Sequence, residues 1–243
     1  FFFKQKTAYE IPKRDWSSDV CSSDLKLPYD TAKDFTPVTM TAAVGNVLVV
    51  PIKSPLQSVK DVIATAKQKP NELIFASSGL GGAPHLVGEF FALTTGVKMR
   101  HIAYKGGGPA IADLVAGNVS MSFASMTSSL PFIKANRLRA LAVSAQARDA
   151  QLPDVPTMAE AGVANLVVRD WQGILAPRAT PVPFVGKLHK ELTRILRHPD
   201  NQERFAAMGL VVIASTPDEF RNDIASEIKR WAKVVKDADI RAE

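Results

Sequence analysis

Cysteine is almost missing from this chain. The single one, Cys21, lies in the opening stretch, so no internal disulfide can form and no thiolate zinc site or cysteine nucleophile can be built further on. Histidine is scarce as well. His85, His101, His189 and His198 show no spacing that suits a metal, so neither a metal nor a cofactor is expected. No apolar run approaches the roughly 20 residues of a membrane span. The longest, residues 47–52, is the size of a strand. Residues 1–3 are too short for the hydrophobic region of a secretory signal, and no small-residue cleavage site follows. A basic stripe carrying aromatics is also lacking. The 30 Lys and Arg and 24 Asp and Glu are interleaved, as in Glu227-Ile228-Lys229-Arg230, so the net charge of +6 reads as solvated helix faces rather than a nucleic-acid surface. The mild positive field that remains would draw an acidic ligand. Catalytic signatures are missing too. There is no G-x-S-x-G elbow and no Walker loop, and the run from Gly79 to Pro84 departs from G-x-G-x-x-G at its last glycine. Ser226 and Lys229 fit S-x-x-K but fall in the middle of an amphipathic helical segment, and no Ser–His–acid set can be assembled. The chain does not read as an enzyme.

What is present is a pair of glycine-rich turns. Ser77-Ser78-Gly79-Leu80-Gly81-Gly82-Ala83-Pro84-His85 follows the apolar run Leu73-Ile74-Phe75 and opens a helical pattern. Tyr104-Lys105-Gly106-Gly107-Gly108-Pro109 follows residues 99–103 and opens another. A strand-to-helix junction with little side chain in the way aims free N–H groups and the positive end of a helix dipole at one point. Two such junctions predict a pocket for a small acid.

Around them the chain alternates. Strands are predicted at 47–50, 73–75, 99–103, 119–123 and 138–143. Helices are predicted from Ser58 (with Asp61 placed to complete a capping box), at 84–95, at 109–116 and through 131–135. This rhythm implies a mostly parallel sheet with helices on both faces. Residues 145–165 form a polar, proline-punctuated connection, and 167–176 are extended and carry Trp171. The remainder is mainly helical. One helix should pack through Phe184, Leu188, Leu192 and Ile195. Another, capped by Thr216 and Glu219, carries Phe220, Ile224, Ile228, Trp231 and Val235 on one face. A strand at Val47 without an earlier partner would lie at a sheet edge, or at its centre without a neighbour.

Residues 1–25 stand apart. Lys4 to Ile11 resembles the forward translation of a sequencing-library adapter, Asp15 to Leu25 resembles another piece of it, and Pro12 to Arg14 would be the index between. The protein proper is expected to start near Lys26, truncated at its natural N-terminus and without its signal peptide.

From there to residue 243 an ordered series of matches resembles the Bug-type extracytoplasmic receptors of tripartite tricarboxylate transport systems. The series runs Leu27-Pro28-Tyr29-Asp30, Asp34-Phe35-Thr36-Pro37-Val38 and Asn46-Val47-Leu48-Val49-Val50. It continues through Ala76-Ser77-Ser78-Gly79 with Gly81 and His85-Leu86, then Tyr104-Lys105-Gly106 with Pro109-Ala110. Arg139-Ala140-Leu141-Ala142-Val143, Leu152-Pro153-Asp154-Val155-Pro156-Thr157, Glu160-Ala161-Gly162, the stretch from Trp171 to Pro177, and Arg230-Trp231 complete it.

The resemblance implies an α/β fold of the type II periplasmic binding protein kind, with two lobes joined by two crossing strands. Residues 26–53 and 170–243 would be the remnant of an incomplete first lobe with the hinge strands, and 54–169 the second lobe. It implies a periplasmic, monomeric receptor that captures a small carboxylate for the membrane subunits of a transporter, with about half of its pocket left in this chain. Ligand contacts carried over fall on Ser77, Ser78, Gly79, Gly81, Gly82, Ala83, His85, Tyr104, Lys105 and Gly106. Ala83 stands where many relatives have a hydroxyl. Ala124 and Ser125 stand where many have Asp, which implies a plain carboxylate rather than an amino acid. His85 reads either as a neutral donor to the ligand or as a structural histidine bonding its own loop, His101 as core or pocket wall, and His189 and His198 as surface. Lys105 reads as ligand partner, pocket rim or solvated side chain, and Trp171 as a hinge-packing anchor. Two rivals stay open: the effector-binding domain of a LysR-type regulator, which shares the two-lobe fold, and a nucleotide-dependent enzyme using the first glycine loop for phosphate.

Overall fold

The computed structural model describes residues 29–30, 33–238 and 240. Cys21, the adapter-like residues 1–25 and the Leu27-Pro28 match lie outside the described residues. The fold is mixed α/β, and its organising element is β1 (Phe35–Pro51), 17 residues long. The strand expected at 47–50 is only its second half. Its first half has no clean period and contains Pro37. Register irregularities at Pro37/Thr39 and Met40/Ala42 accommodate that residue, which has no N–H to give a ladder.

β1 belongs to two sheets. From Phe35 to Gly45 it pairs antiparallel with β6 (Arg169–Pro177), and at Ala42 and Ala43 with β7 (Val211–Val212). From Asn46 onward it runs between β4 (Met121–Ser125) and β5 (Leu138–Val143), antiparallel to both. The expectation of an edge strand or a missing neighbour is therefore corrected: this half of β1 is central and paired on both sides. Beyond β4 lie β2 (Ile74–Ser77) and β3 (Arg100–Ala103), giving the order β3-β2-β4-β1-β5. β2 is parallel to both of its neighbours. Four strands of this sheet thus share one direction, and β1 is the single antiparallel insertion.

Alternation along β1 divides two cores. Leu48 and Val50 face a cluster with Phe75, Met121 and Phe123. It is covered by α1 (Val59–Gln68), α2 (Ala83–Thr95) and the end of α7 (Pro217–Asp237). Val47 and Val49 face a second cluster under α3 (Gly107–Ala116) and α4 (Met126–Lys134). A strand buried on both faces reads as an unbroken apolar run, which is why 47–50 stood out in the sequence.

The other sheet has a small core of Val38, Ala176 and Val185, with Leu192 against it. The apolar face expected on α5 (Val182–Leu196) is largely not buried: Phe184, Leu188 and Ile195 are exposed, and Val185 and Leu196 are the buried residues. A short helix, α6 (Pro199–Ala207), leads to β7. On α7, Phe220, Trp231 and Val234 are buried while Ile228 is exposed, so the expected stripe holds only in part. The Thr216–Glu219 capping box forms in full.

Candidate functional site

Both glycine turns end strands of the larger sheet and begin helices. β2 leads through Ser78–Gly82 into α2, and β3 leads through Tyr104–Gly106 into α3. The two strands are parallel neighbours, so the turns emerge side by side and are tied together. Tyr104 N–H donates to Ser77 O at 3.0 Å, and Gly106 N–H donates to Ser78 O at 2.9 Å. Gly81 at φ 71° and Gly106 at φ 105° occupy conformations that L side chains rarely adopt.

A third helix start joins them. β4 runs into α4, whose cap is Ser125. The helix expected only through 131–135 begins at Met126 and contains Pro131, an inversion of the usual placement of proline at a helix start. None of α2, α3 and α4 has a side-chain cap on its first turn. Three sets of orphan N–H groups and three positive dipole ends therefore border one region.

That region is a cavity of about 210 Å³. Ser78, Ala83 and Pro84 line it from the first turn. Gly107, Ala110 and Ile111 line it from α3, and Ser122, Ala124, Ser125 and Ser128 from β4 and α4. Asp170 lines it from β6. Ser122 Oγ donates to Ala76 O at 2.8 Å and Ser128 Oγ to Ser125 O at 2.9 Å, so those protons are committed. No Lys, Arg or His is on the wall. An anion here would be met by backbone N–H groups, dipoles and hydroxyls.

Of the residues singled out in the sequence, Ser78, Ala83, Ala124 and Ser125 line this cavity. Ser77, Gly79, Gly81, Gly82, His85, Tyr104, Lys105 and Gly106 do not; most of them build the turns beneath or beside it. His85 is buried, and its Nδ1 accepts from Gly81 N–H at 3.0 Å, which matches the structural reading of this residue. His85 stacks on His101 with ring centroids 3.8 Å apart and planes 11° apart. Burial lowers the His85 pKa to about 4. Burial first, then the neighbouring His85, lowers that of His101 to about 3. His101 Nε2 lies 2.6 Å from Ser77 Oγ, which donates to Gly79 O at 2.9 Å. The pair thus braces the first glycine turn from below.

Tyr104 turns to its own helix and donates to Asp113 Oδ2 at 2.7 Å. That bond, more than burial, pushes its pKa up to about 12. Lys105 is exposed. His189 is half-buried, with Nε2 3.1 Å from Ser215 O. Trp171 packs edge-on against Phe220 at 5.2 Å.

Sequence reasoning missed Ser122, Ser128 and Asp170. Ser125, a favoured cap residue at the end of an apolar run, was the available signal for the third helix start. Asp170 bears on an earlier inference. The acid missing at Ala124 is not missing from the cavity, because one comes in from β6. Among the described residues, no cluster of His, Cys, Asp or Glu could hold a metal, and no helix is long and apolar enough to cross a membrane.

Comparison with known proteins gives a consistent picture. Residues 20–240 match the tripartite tricarboxylate transporter family receptor. The chain is 39% identical over 211 residues to protein BugT of Bordetella pertussis, covering 87% of this chain and 65% of that protein. It is similar to a solved R. palustris protein with adipate, at 36% identity and TM-score 0.82 over 88% of this chain and 71% of that one. It is also similar to MatC of Rhodopseudomonas palustris with bound malate, at 28% identity and TM-score 0.81 over 90% and 75%. The chain spans about 65% of the length of the first curated relatives it matches.

Proposed function

The chain belongs to the tripartite tricarboxylate transporter receptor family, a family of solute-binding receptors rather than enzymes, and from that premise we propose that it captures a small carboxylate. The ligand class is a di- or tricarboxylate or a similar organic acid, held under the starts of α2, α3 and α4. The observation that carries this reading is the convergence of three helix N-termini without side-chain caps on one cavity of about 210 Å³. Such a site favours an anion without needing a cationic side chain. The adipate and malate bound to two similar proteins support the choice of carboxylate over phosphate.

The receptor works as a monomer in the periplasm and delivers its ligand to the membrane subunits of a tripartite transporter. Residues 54–169 form one lobe, with the second half of β1 at the centre of their sheet, and the first half of β1 with residues 170–238 belongs to the other. Closure bends β1 and β6 near Gly45 and Arg169, where β1 changes sheets. Contacts made only in the closed form bias the motion.

Titration of the 243-residue protein by two-dimensional 1H–15N NMR with succinate, malate, citrate and adipate tests this, because it reads dissociation constants into the millimolar range. The amides of Ser78, Ala83, Gly107 and Ser125 should shift together and saturate. A folded protein in which no acid moves them would overturn the proposal.

A further inference from the structure

The wall of this cavity carries a single acidic side chain and no basic one. Asp170 faces the three helix starts from β6, and every other lining residue is neutral. Strand geometry fixes that orientation. Successive side chains of a strand point to opposite faces, and Arg169 and Trp171 line a separate cavity of about 230 Å³ while Asp170 lines this one. The backbone is held there by pairing with β1, Val44 opposite Asp170 and Gly45 opposite Arg169, at the point where β1 passes from one sheet to the other. The residue is half-buried.

The two sides of the cavity have opposite electrostatic character. Helix starts favour negative charge, and Asp170 disfavours it. In so small a space, a ligand carboxylate that reached across to β6 would meet the Asp170 carboxylate, an acceptor like itself, and could make no hydrogen bond with it. A plain dicarboxylate with its second acid group turned toward β6 is in that position. A ligand with a hydrogen-bond donor on that side is not; it gains a charge-assisted bond instead. A carboxylate offers about four lone-pair sites, so Asp170 can take a ligand donor alongside any bond from the protein.

We propose that Asp170 is a specificity-determining residue: the acid captured by this protein carries an ammonium or hydroxyl group that donates to Asp170 while its own carboxylate lies at the helix starts. The inference rests on the receptor reading above and narrows its ligand class. It reverses the expectation of a plain carboxylate, which followed from Ala124 alone.

The experiment is a set of NMR titrations of the 243-residue protein and its Asp170→Asn variant with matched acids: succinate against malate and aspartate, and adipate against 2-aminoadipate. Succinate and malate carry the same charge, so their ratio isolates the donor. Malate and aspartate should bind at least tenfold more tightly than succinate, and 2-aminoadipate more tightly than adipate. Asp170→Asn should bring these ratios close to one, partly by strengthening the plain diacids. Asp170→Ser serves where the Asn variant loses its dispersed spectrum. Acids that bind without this discrimination, or with a discrimination that both variants keep, would overturn the role of Asp170 and leave the receptor standing. A dispersed spectrum that no acid perturbs would overturn both.

Discussion

His85 and His101 lie face to face beneath the first glycine turn, and neither ring reaches the cavity. Their work is indirect: His85 accepts from Gly81, and His101 holds Ser77, which holds Gly79. The Gly81 bond requires a neutral His85, because Nδ1 must accept; His101 donates its Nε2–H to Ser77 Oγ, whose own proton goes to Gly79 O. Because burial lowers the two pKa values to about 4 and about 3, the folded protein resists protons that the unfolded chain takes up near pH 6.5. Stability is therefore fully present above pH 6.5 and falls as the pH drops from there toward 4. The slope is at most about 1.4 kcal/mol per pH unit for each ring, and smaller for the partly exposed His101. Glu89 sits 3.7 Å from His85 Nε2; burial raises its pKa, so it works in the opposite direction and flattens the lower end of that range. Urea unfolding between pH 7.5 and 5 should show this decline, and His101→Phe, which keeps a ring on His85, should lose about half of it. Equal slopes in the two proteins would remove the pair from the account. The sequence allowed both readings of His85 and could not choose, because the partner that decides is His101, brought over it by the pairing of β2 with β3.

Elements were legible in proportion to how local their signals are. The starts of α2 and α3 could be placed because glycines precede them and Pro84 and Pro109 sit in their first turns. The start of α4 could not, because Thr127, Ser128 and Ser129 in its first turn are weak helix formers and Pro131 suggested a later beginning. The first half of β1 was hidden by Pro37 and two breaks in register. Asp170 could not be identified at all, since the face it occupies is set by a strand more than a hundred residues earlier in the chain. α2 also carries a constraint that propensity alone would misjudge. A Cβ on Gly88 would lie 2.3 Å from Cε2 of Phe75, a fully buried ring with His101 at 4.8 Å and Phe123 at 6.4 Å from its centroid. Gly88→Ala gains about 1 kcal/mol in helix propensity. Overpacking against a ring that cannot swing away costs about 1–3 kcal/mol, and the overlap here is deep enough to place the cost at the upper end. The variant should unfold at lower urea than the parent. It should also disturb the His101 amide, because the displaced ring pushes into the imidazole stack. A variant as stable as the parent would show that Phe75 has room the packing does not reveal.

At the scale of the whole molecule, the proposed hinge must reconcile motion with cooperativity. Two long elements are among the ties between the sheets. β1 runs through both of them, and α7 packs Phe220 against Gly173 and Trp171 of the smaller sheet at one end while Trp231 and Val234 enter the core of the larger one at the other. Bending β1 and β6 where the pairing changes leaves both ladders intact. Unfolding one sheet alone would cut β1 in the middle and strip α7 from one of its two anchors. The proposed closure would then bend the ladders without breaking them, while independent unfolding of the two halves would break both of these ties. The smaller sheet has little core of its own, with Val38, Ala176 and Val185 at its centre, so it draws its stability from this linkage. Val38→Ala, which empties part of that centre, should cost about 1–3 kcal/mol. The loss should not stay local. Hydrogen exchange in the amides of β2 and β4, which Val38 does not touch, should accelerate by the same free energy as exchange in β6. If only the β6 and β7 amides respond, the halves open separately, and the hinge would have to be redrawn as a junction between two independently folding units.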